Sequence, residues 1–575
     1  MKHAVDPRQT SMLDPYRQFL SSMGMERLEK DWPGVFRHVA LELMPVREVG
    51  AAFNPQRGRP TKELYSMCGL TLIMEFNQWT SQEASDAYML DTRVQYALNL
   101  EPCGQTMTPR TVERYKRIFV ERELAARTME EVTAKLAEVA ELNTTKLRVD
   151  STHVFADLAI FGRTRLMGTA VKRFLVQLKR HDPERYDALP EALRMRYAPS
   201  AQRLFVGEAT DAPSRRRLRG EVAQDMRGLI EAFADGPHAQ RSTYRDMARI
   251  FAEQCEVIEG KVEVKASPGN RTVQNPSDMD STREGPKGAG YKVQIAETCS
   301  ETNEVQMVVA AIAQQGAEDD REAMPTVLEA IEEKGLETDT ILADTHYGSD
   351  ADLRRCAEKG IELIAPAPKA GNMKDPEALN LADFETDPES GKILRCPEGH
   401  APVASVYEAD KDSGSVTMPA GTCECCPRRK ECPVRYRRGG EYRLTWHGAE
   451  RRLQVRRRVE RTDAFRERYR RRSGIEGTNS GMKRRTGLGR VRVRGRPSVF
   501  HSIYMKVCGW NLLRATASEK VRLHVAAKAA QRALHLVFQA FFHSAGLSAS
   551  LRACLCRLPV PFSCRPSVVM AKAVA

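Results

Sequence analysis

One stretch of the chain sets charges of both signs at helical spacing. In YRRRSGIEGTNSGMK, residues 469–483, a single glutamate lies among arginines. At 3.6 residues per turn, Tyr469, Arg472, Glu476 and Lys483 fall on one stripe roughly 60° wide. A carboxylate flanked by cations on a helix face suits a metal ion bound to a phosphate chain. The plainer alternative is a solvated basic helix whose glutamate pairs with an arginine four residues away. Two more carboxylates stand out by placement. Asp150 closes the strand start LRVD, and Asp344 closes ILAD just before the turn THYGSD. In a sheet with crossovers, functional groups collect at the carboxyl ends of strands and on the helix packed beside them. The three can therefore meet, although 194 residues separate the first two and 132 the last two. Oxygen ligands with no histidine or cysteine among them suit Mg²⁺ or Mn²⁺. Two such ions about 4 Å apart can activate a water or a 3′-hydroxyl and stabilise the leaving oxygen of a phosphodiester. Either aspartate alone could equally be a strand-end or turn residue making a local hydrogen bond.

The elements that must position these groups follow from periodicity. Residues 1–140 read as helical, with starts at Pro60–Thr61, after Thr80–Ser81 with Glu83 in the first turn, and at Thr108–Pro109. Basic residues near the last of these (Arg110, Arg114, Lys116, Arg117) suit a small DNA-binding bundle, and a plain helical bundle is the alternative. TKLRVDSTHV (145–154) then reads as a strand, followed by a helical block to about residue 260. Further strands are expected at 261–266, 291–298, 304–313, 338–344 and 361–366, with helices at about 318–334 and 349–359. Apart from the helical block, this order gives a mixed α/β sheet that begins with hairpin-linked strands and ends with βαβ crossovers. Residues 370–445 are rich in Pro, Gly and Cys with weak periodicity, as in an insertion.

At 575 residues the chain exceeds one core, so two to four units are expected. The formal charge is +13, and it is concentrated. From Arg428 to Arg496 there are 25 Lys/Arg against 7 Asp/Glu, a local +18 that leaves the remainder about five negative. An arginine-dominated charge of this density, interspersed with Leu, Val, Phe, Tyr and Trp, is the footprint of a polyanion partner, here nucleic acid. The start of the chain has no apolar signal region and no apolar run reaches membrane-spanning length. The 14 cysteines are then expected as reduced thiols or metal ligands, in a cytoplasmic protein. Cys396, Cys423, Cys426 and Cys432 include one C-x2-C step of structural-zinc spacing, with His400 or Cys425 as substitutes, against the alternative of buried thiols.

With these residues in hand, the chain resembles the bacterial insertion-sequence transposases of the DDE type. Tyr469, Arg472, Glu476 and Lys483 match their Y-x2-R-x3-E-x6-K signature. VDSTHV around Asp150, GYKVQIAET from Gly290 and LADTHYGSD around Asp344 look like the remaining blocks in order. The resemblance spans roughly residues 60–515. It implies an RNase H-like catalytic core with catalytic, Mg²⁺-binding Asp150, Asp344 and Glu476. It also implies phosphate contacts from Tyr469, Arg472 and Lys483, action on double-stranded transposon ends and target DNA, and a homo-oligomer on DNA. By the same resemblance the Cys-rich insertion reaches over the DNA end, where Tyr442 or Trp446 could stack on an unpaired base. The expected organisation is a helical N-terminal domain (1–140) and a first part of the core (141–370) with a helical insert at about 156–260. A Cys-rich insertion (371–445), a basic helix ending the core (446–515) and a C-terminal extension (516–575) complete it. The helical insert is longer than in better-known members. A non-catalytic DNA-binding protein, such as a domesticated transposase or repressor, and an RNase H-like nuclease without strand transfer are the rival readings.

Overall fold

The computed structural model describes residues 3–7, 14–159, 161–269, 271–368 and 379–544. Its main sheet contains β1 (Lys146–Val154), β2 (Gly288–Thr298), β3 (Val308–Gln315), β4 (Thr340–Leu342) and β5 (Glu362–Ile364). β2 pairs antiparallel with β1 and with β3, whereas β1 with β4 and β4 with β5 are parallel. The spatial order is β3-β2-β1-β4-β5, and a short strand, Thr282–Glu284, shares the β3 edge of β2. The helices that position the site are α1 (Leu64–Phe76), α2 (Leu124–Val139), α3 (Met324–Glu333), α4 (Asp350–Glu358), α5 (Asp463–Tyr469), α6 (Gly474–Thr486) and α7 (Arg496–Ala515). α3 connects β3 to β4 and α4 connects β4 to β5, the crossovers that parallel pairing requires.

The alternation of β1 divides its side chains between two layers. Leu147 and Val149 are buried with residues of α3 and α4 on one face. On the other face Val293 and Ile295 of β2 join a large core that includes α1, α2 and α7. One core thus runs from the N-terminal helices through the sheet to α7. Gly509 permits the closest approach within it: a Cβ there would lie 2.1 Å from that of Phe76. The same contact holds a buried charge cluster. Glu75 of α1 pairs with Lys116, accepts from Ser502 Oγ at 2.7 Å, and its carbonyl accepts from Lys506 Nζ at 2.7 Å. Burial raises the Glu75 carboxyl, but Lys116, His501 and Lys506 outweigh it and bring it down to about 2. Its contribution is therefore complete above the ordinary value of 4.5 and fades as pH falls towards 2. Glu75→Gln removes the charge that faces the buried Lys506 ammonium and the half-buried Lys116, and equilibrium denaturation at neutral pH should show a loss of about 3 kcal/mol.

Several elements differ from the sequence expectation. The helical block divides into Arg163–His181, Pro183–Asp187, Glu191–Arg196, Ala212–Ala232 and Ser242–Gln254, packed around an apolar core of its own. The strand at 261–266 is Lys261–Val264 and pairs with Cys255–Ile258 in a separate hairpin, outside the main sheet. The Cys-rich region, despite its weak periodicity, forms a four-stranded sheet of Ala404–Glu408, Ser413–Met418, Glu441–His447 and Arg435–Arg437. After α7 a helix runs over Glu519–Ser544, and the remainder of the C-terminal extension lies outside the described residues. No helix among the described residues is long and apolar enough to cross a membrane.

Candidate active site

Strand register brings the two aspartates together. β1 and β4 pair Lys146 with Thr340, Leu147 with Ile341 and Arg148 with Leu342. Continued two residues further, that register sets Asp150 level with Asp344. The ladder itself stops at Leu342, so the flank of β1 beside Asp150 is free of a strand neighbour on the β4 side. Asp150 was expected inside a strand over 145–154, and it is; Asp344 was expected to close its strand, and it does not. Asp150 stands in the middle of β1, opposite Ile295 of β2, because β1 continues to Val154. Asp344 has left β4 and caps the turn Thr345–Tyr347, its Oδ1 accepting the His346 backbone N–H at 2.8 Å.

Arg472 joins all three carboxylates. Its Nη2 lies 3.3 Å from Asp150 Oδ2 and 3.8 Å from Asp344 Oδ2, and its Nη1 donates to Glu476 Oε1 at 2.6 Å. The Arg472 side chain is 13% exposed, and that of Glu476, turned outward on the first turn of α6, is 66% exposed. The local pairing of glutamate with the arginine four residues earlier is therefore present, but the arginine also faces both aspartates. α6 is held against β1 and β2 by further contacts. Arg148 Nε and Thr478 Oγ1 each donate to Glu297 at 2.7 Å, and Asn479 Nδ2 donates to Asp150 Oδ2 at 3.2 Å. The Arg148 guanidinium crosses the start of α6, where a Cβ on Gly474 would lie 1.8 Å from its Nη1. A larger residue there would have to displace that guanidinium.

The stripe expected over 469–483 is bent. Tyr469 ends α5, residues Arg470–Ser473 tighten into a 3₁₀ turn, and α6 begins at Gly474. Tyr469 stacks on Phe465, ring centroids 5.6 Å apart, beside Cys299, Leu342 and Ile364. Its phenol is raised by burial and feels Arg472, Asp344, Asp150 and Glu476, so it borders the same site. Lys483, on the outer side of α6, is lowered by partial desolvation and by the neighbouring Lys287. Lys483 thus lies within electrostatic reach of Asp150, while Lys287 pairs with Glu284 at 2.6 Å.

The charge balance of the site is uneven. Three carboxylates share one guanidinium, an excess of two negative charges when all are ionised. Burial raises the Asp150 carboxyl, Arg472 and the Ser151 N–H oppose this, and Asp344 and Asp320 push it further up. A hard divalent cation would balance such an excess, and the all-oxygen donors fit one. Two buried atoms here, Arg472 Nε and Asn479 Oδ1, have no hydrogen-bond partner among the described residues. As the side chains stand, with Arg472 between the carboxylates, no three His, Cys, Asp or Glu among the described residues form a group that could hold a metal ion.

Cys396, Cys423, Cys426 and Cys432 line one small, largely apolar pocket with His400, Met418 and Val434, all four as free thiols. The expected stacking aromatics are a correction. Tyr442 and Trp446 are buried in the core of the insertion, Trp446 lying over Gly414, so neither ring faces outward to receive a base. Asn479 and Asp320 escaped the sequence reading. Asn479 is two turns into the basic stretch from Arg472, a spacing that shares its face. Asp320 belongs to the acidic run Glu318, Asp319, Asp320, Glu322 just after β3, a signal at a strand's carboxyl end.

The stretch that supplies Arg472 and Glu476 has an independent match. Residues 395–516 match the family model of the transposase DDE domain. The match includes most of the Cys-rich insertion, the whole basic stretch and α7, while Asp150 and Asp344 lie before it. No curated protein matches the chain. A solved structure of piggyBac transposase in a synaptic complex with hairpin DNA has a TM-score of 0.30 and 8% identity, covering 93% of this chain and 87% of that one. A likeness at that level carries no argument.

Proposed function

We propose that this protein is a DNA transposase of the DDE type with an RNase H-like core, acting on the double-stranded ends of an insertion sequence. The observation that carries the reading is the meeting of Asp150 and Asp344 in strand register on Arg472, within reach of Glu476 in the stretch that matches the transposase DDE domain. Asp150, Asp344 and Glu476 would hold Mg²⁺ or Mn²⁺. When bound, such an ion supplies Lewis acidity at the scissile phosphate and activates the attacking water or 3′-hydroxyl. Arg472, held on the carboxylates before DNA arrives, is a guanidinium that can turn from them to a phosphate oxygen, with Lys483 as a second cation and Tyr469 at the rim. The chain acts on DNA as a homo-oligomer that brings two ends together. No step is assigned to a zinc ion in the cysteine pocket.

The test is direct. Full-length protein incubated in Mg²⁺ with linear DNA carrying the inverted repeats that flank its gene, and with a plasmid target, should yield end-cleaved donor and covalently joined product. Cleavage with no joined product would make it a nuclease. DNA binding with neither would make it a non-catalytic binding protein.

A further inference from the structure

The β1–β4 ladder ends two residues short of both aspartates, so something else must fix the spacing between them. On the α3 face of the sheet, opposite to Asp150, a chain of buried and half-buried hydrogen bonds spans the gap. Ser151, the residue after Asp150, donates from Oγ to Asp320 Oδ2 at 2.9 Å. Asp320 Oδ1 accepts from Gln294 Nε2 at 2.7 Å and from Lys292 Nζ at 2.8 Å. Gln294 Oε1 in turn accepts the hydroxyl of Tyr347, three residues after Asp344. The Tyr347 N–H closes the turn onto the Asp344 carbonyl at 3.2 Å. Lys292, Gln294 and Tyr347 are each about 1% exposed. Every member is a good donor or acceptor in the role it fills, and the ion pair of Lys292 with Asp320 keeps the centre of the chain neutral.

We propose that Ser151, Asp320, Gln294 and Tyr347 are positioning residues that set the separation of Asp150 and Asp344 for a divalent cation. The proposal rests on the transposase reading for the cation's use, but not for the geometry. It continues the tie between two chain segments where backbone pairing stops: one end grips β1 beside the first aspartate, the other grips the turn of the second. Outer partners of this kind typically tune metal affinity by about 10- to 100-fold.

The experiment is Mn²⁺ binding to the full-length protein without DNA, followed by calorimetry, with thermal unfolding measured in parallel. Tyr347→Phe removes one oxygen from a packed ring, and Ser151→Ala cuts the same chain at its other end. Each should raise the Mn²⁺ Kd by about tenfold or more while the melting temperature of the metal-free protein stays within a few degrees. Asp150→Asn should abolish the same binding and so identify the site. An unchanged Kd in both variants overturns the proposal, as does wild-type protein with no Mn²⁺ binding that Asp150→Asn removes. A merely structural network would lower the melting temperature and leave Kd alone in whichever variant still folds. Weakened Mn²⁺ binding in a protein that never cleaves or joins DNA would uphold the positioning network and sink the transposase reading.

Discussion

Glu476→Gln will cleave and join transposon ends at least about a thousandfold more slowly than wild type in Mg²⁺, on the order of 4 kcal/mol of barrier. The substitution preserves the shape of the side chain and removes the charge that a divalent cation needs from the third carboxylate. Because Glu476 is mostly exposed and caps no element, folding should be unaffected. DNA binding without metal should persist or tighten slightly, since one repulsive charge beside phosphate is gone and Arg472 loses a competing partner. Asp150→Asn and Asp344→Asn should match it in rate, and a double variant should add little, because the three act as one unit. Lys483→Ala should separate from them by weakening end binding while Mn²⁺ binding is retained. A Glu476→Gln protein that nicks ends at near wild-type rate would leave the glutamate as nothing more than the partner of Arg472.

The second large effect is the salt dependence of DNA binding, and the structure sharpens which charges produce it. Several arginines of the +18 stretch are engaged in ion pairs with carboxylates of the same chain. Arg452 bridges Asp350 and Asp412, and Arg458, Arg468 and Arg471 pair with Asp383, Glu362 and Glu301. A dense run of exposed cations lies later, at Lys483, Arg484, Arg485, Arg490, Arg492, Arg494 and Arg496. If about six of them meet phosphate, affinity should drop by about 10³ between 50 and 200 mM salt. Replacing Arg484, Arg485 and Arg494 together should flatten that slope by roughly three contacts. Arg452→Ala should leave the slope alone and lower the stability of the insertion. An affinity that does not move with salt would remove the argument from charge.

The legible parts of the fold were those written in local chemistry. Thr80 and Glu83 form the reciprocal cap that their spacing announced, and Thr108 caps the helix from Pro109 to Glu121. The alternation of β1 and the order of strands and crossovers follow from period alone. The boundaries that slipped were set by distant partners. β4 is only three residues long because the turn after it is gripped through Tyr347, and the helix at 469–483 is pinched where Arg148 crosses it. Tyr442 and Trp446 are bulky groups that a sequence can present either as tools or as core. In a small sheet with few other large side chains they became core. The site's first two carboxylates were readable from their strand positions, whereas Asp320 was not, since nothing local links it to Ser151 across the sheet.

The unit with its own apolar core between β1 and β2 makes the distance between the first two sequence blocks irrelevant to their meeting in space. β1 leaves at Val154 and its antiparallel neighbour returns at Gly288, so all that lies between is one closed loop. The entropy of closing such a loop rises only with the logarithm of its length, about 0.6 kcal/mol for each doubling. A segment that satisfies its own hydrophobic surface adds almost nothing else to the account. The segment can therefore be lengthened, trimmed or exchanged with little thermodynamic penalty, while the level register of Asp150 with Asp344 stays as it is.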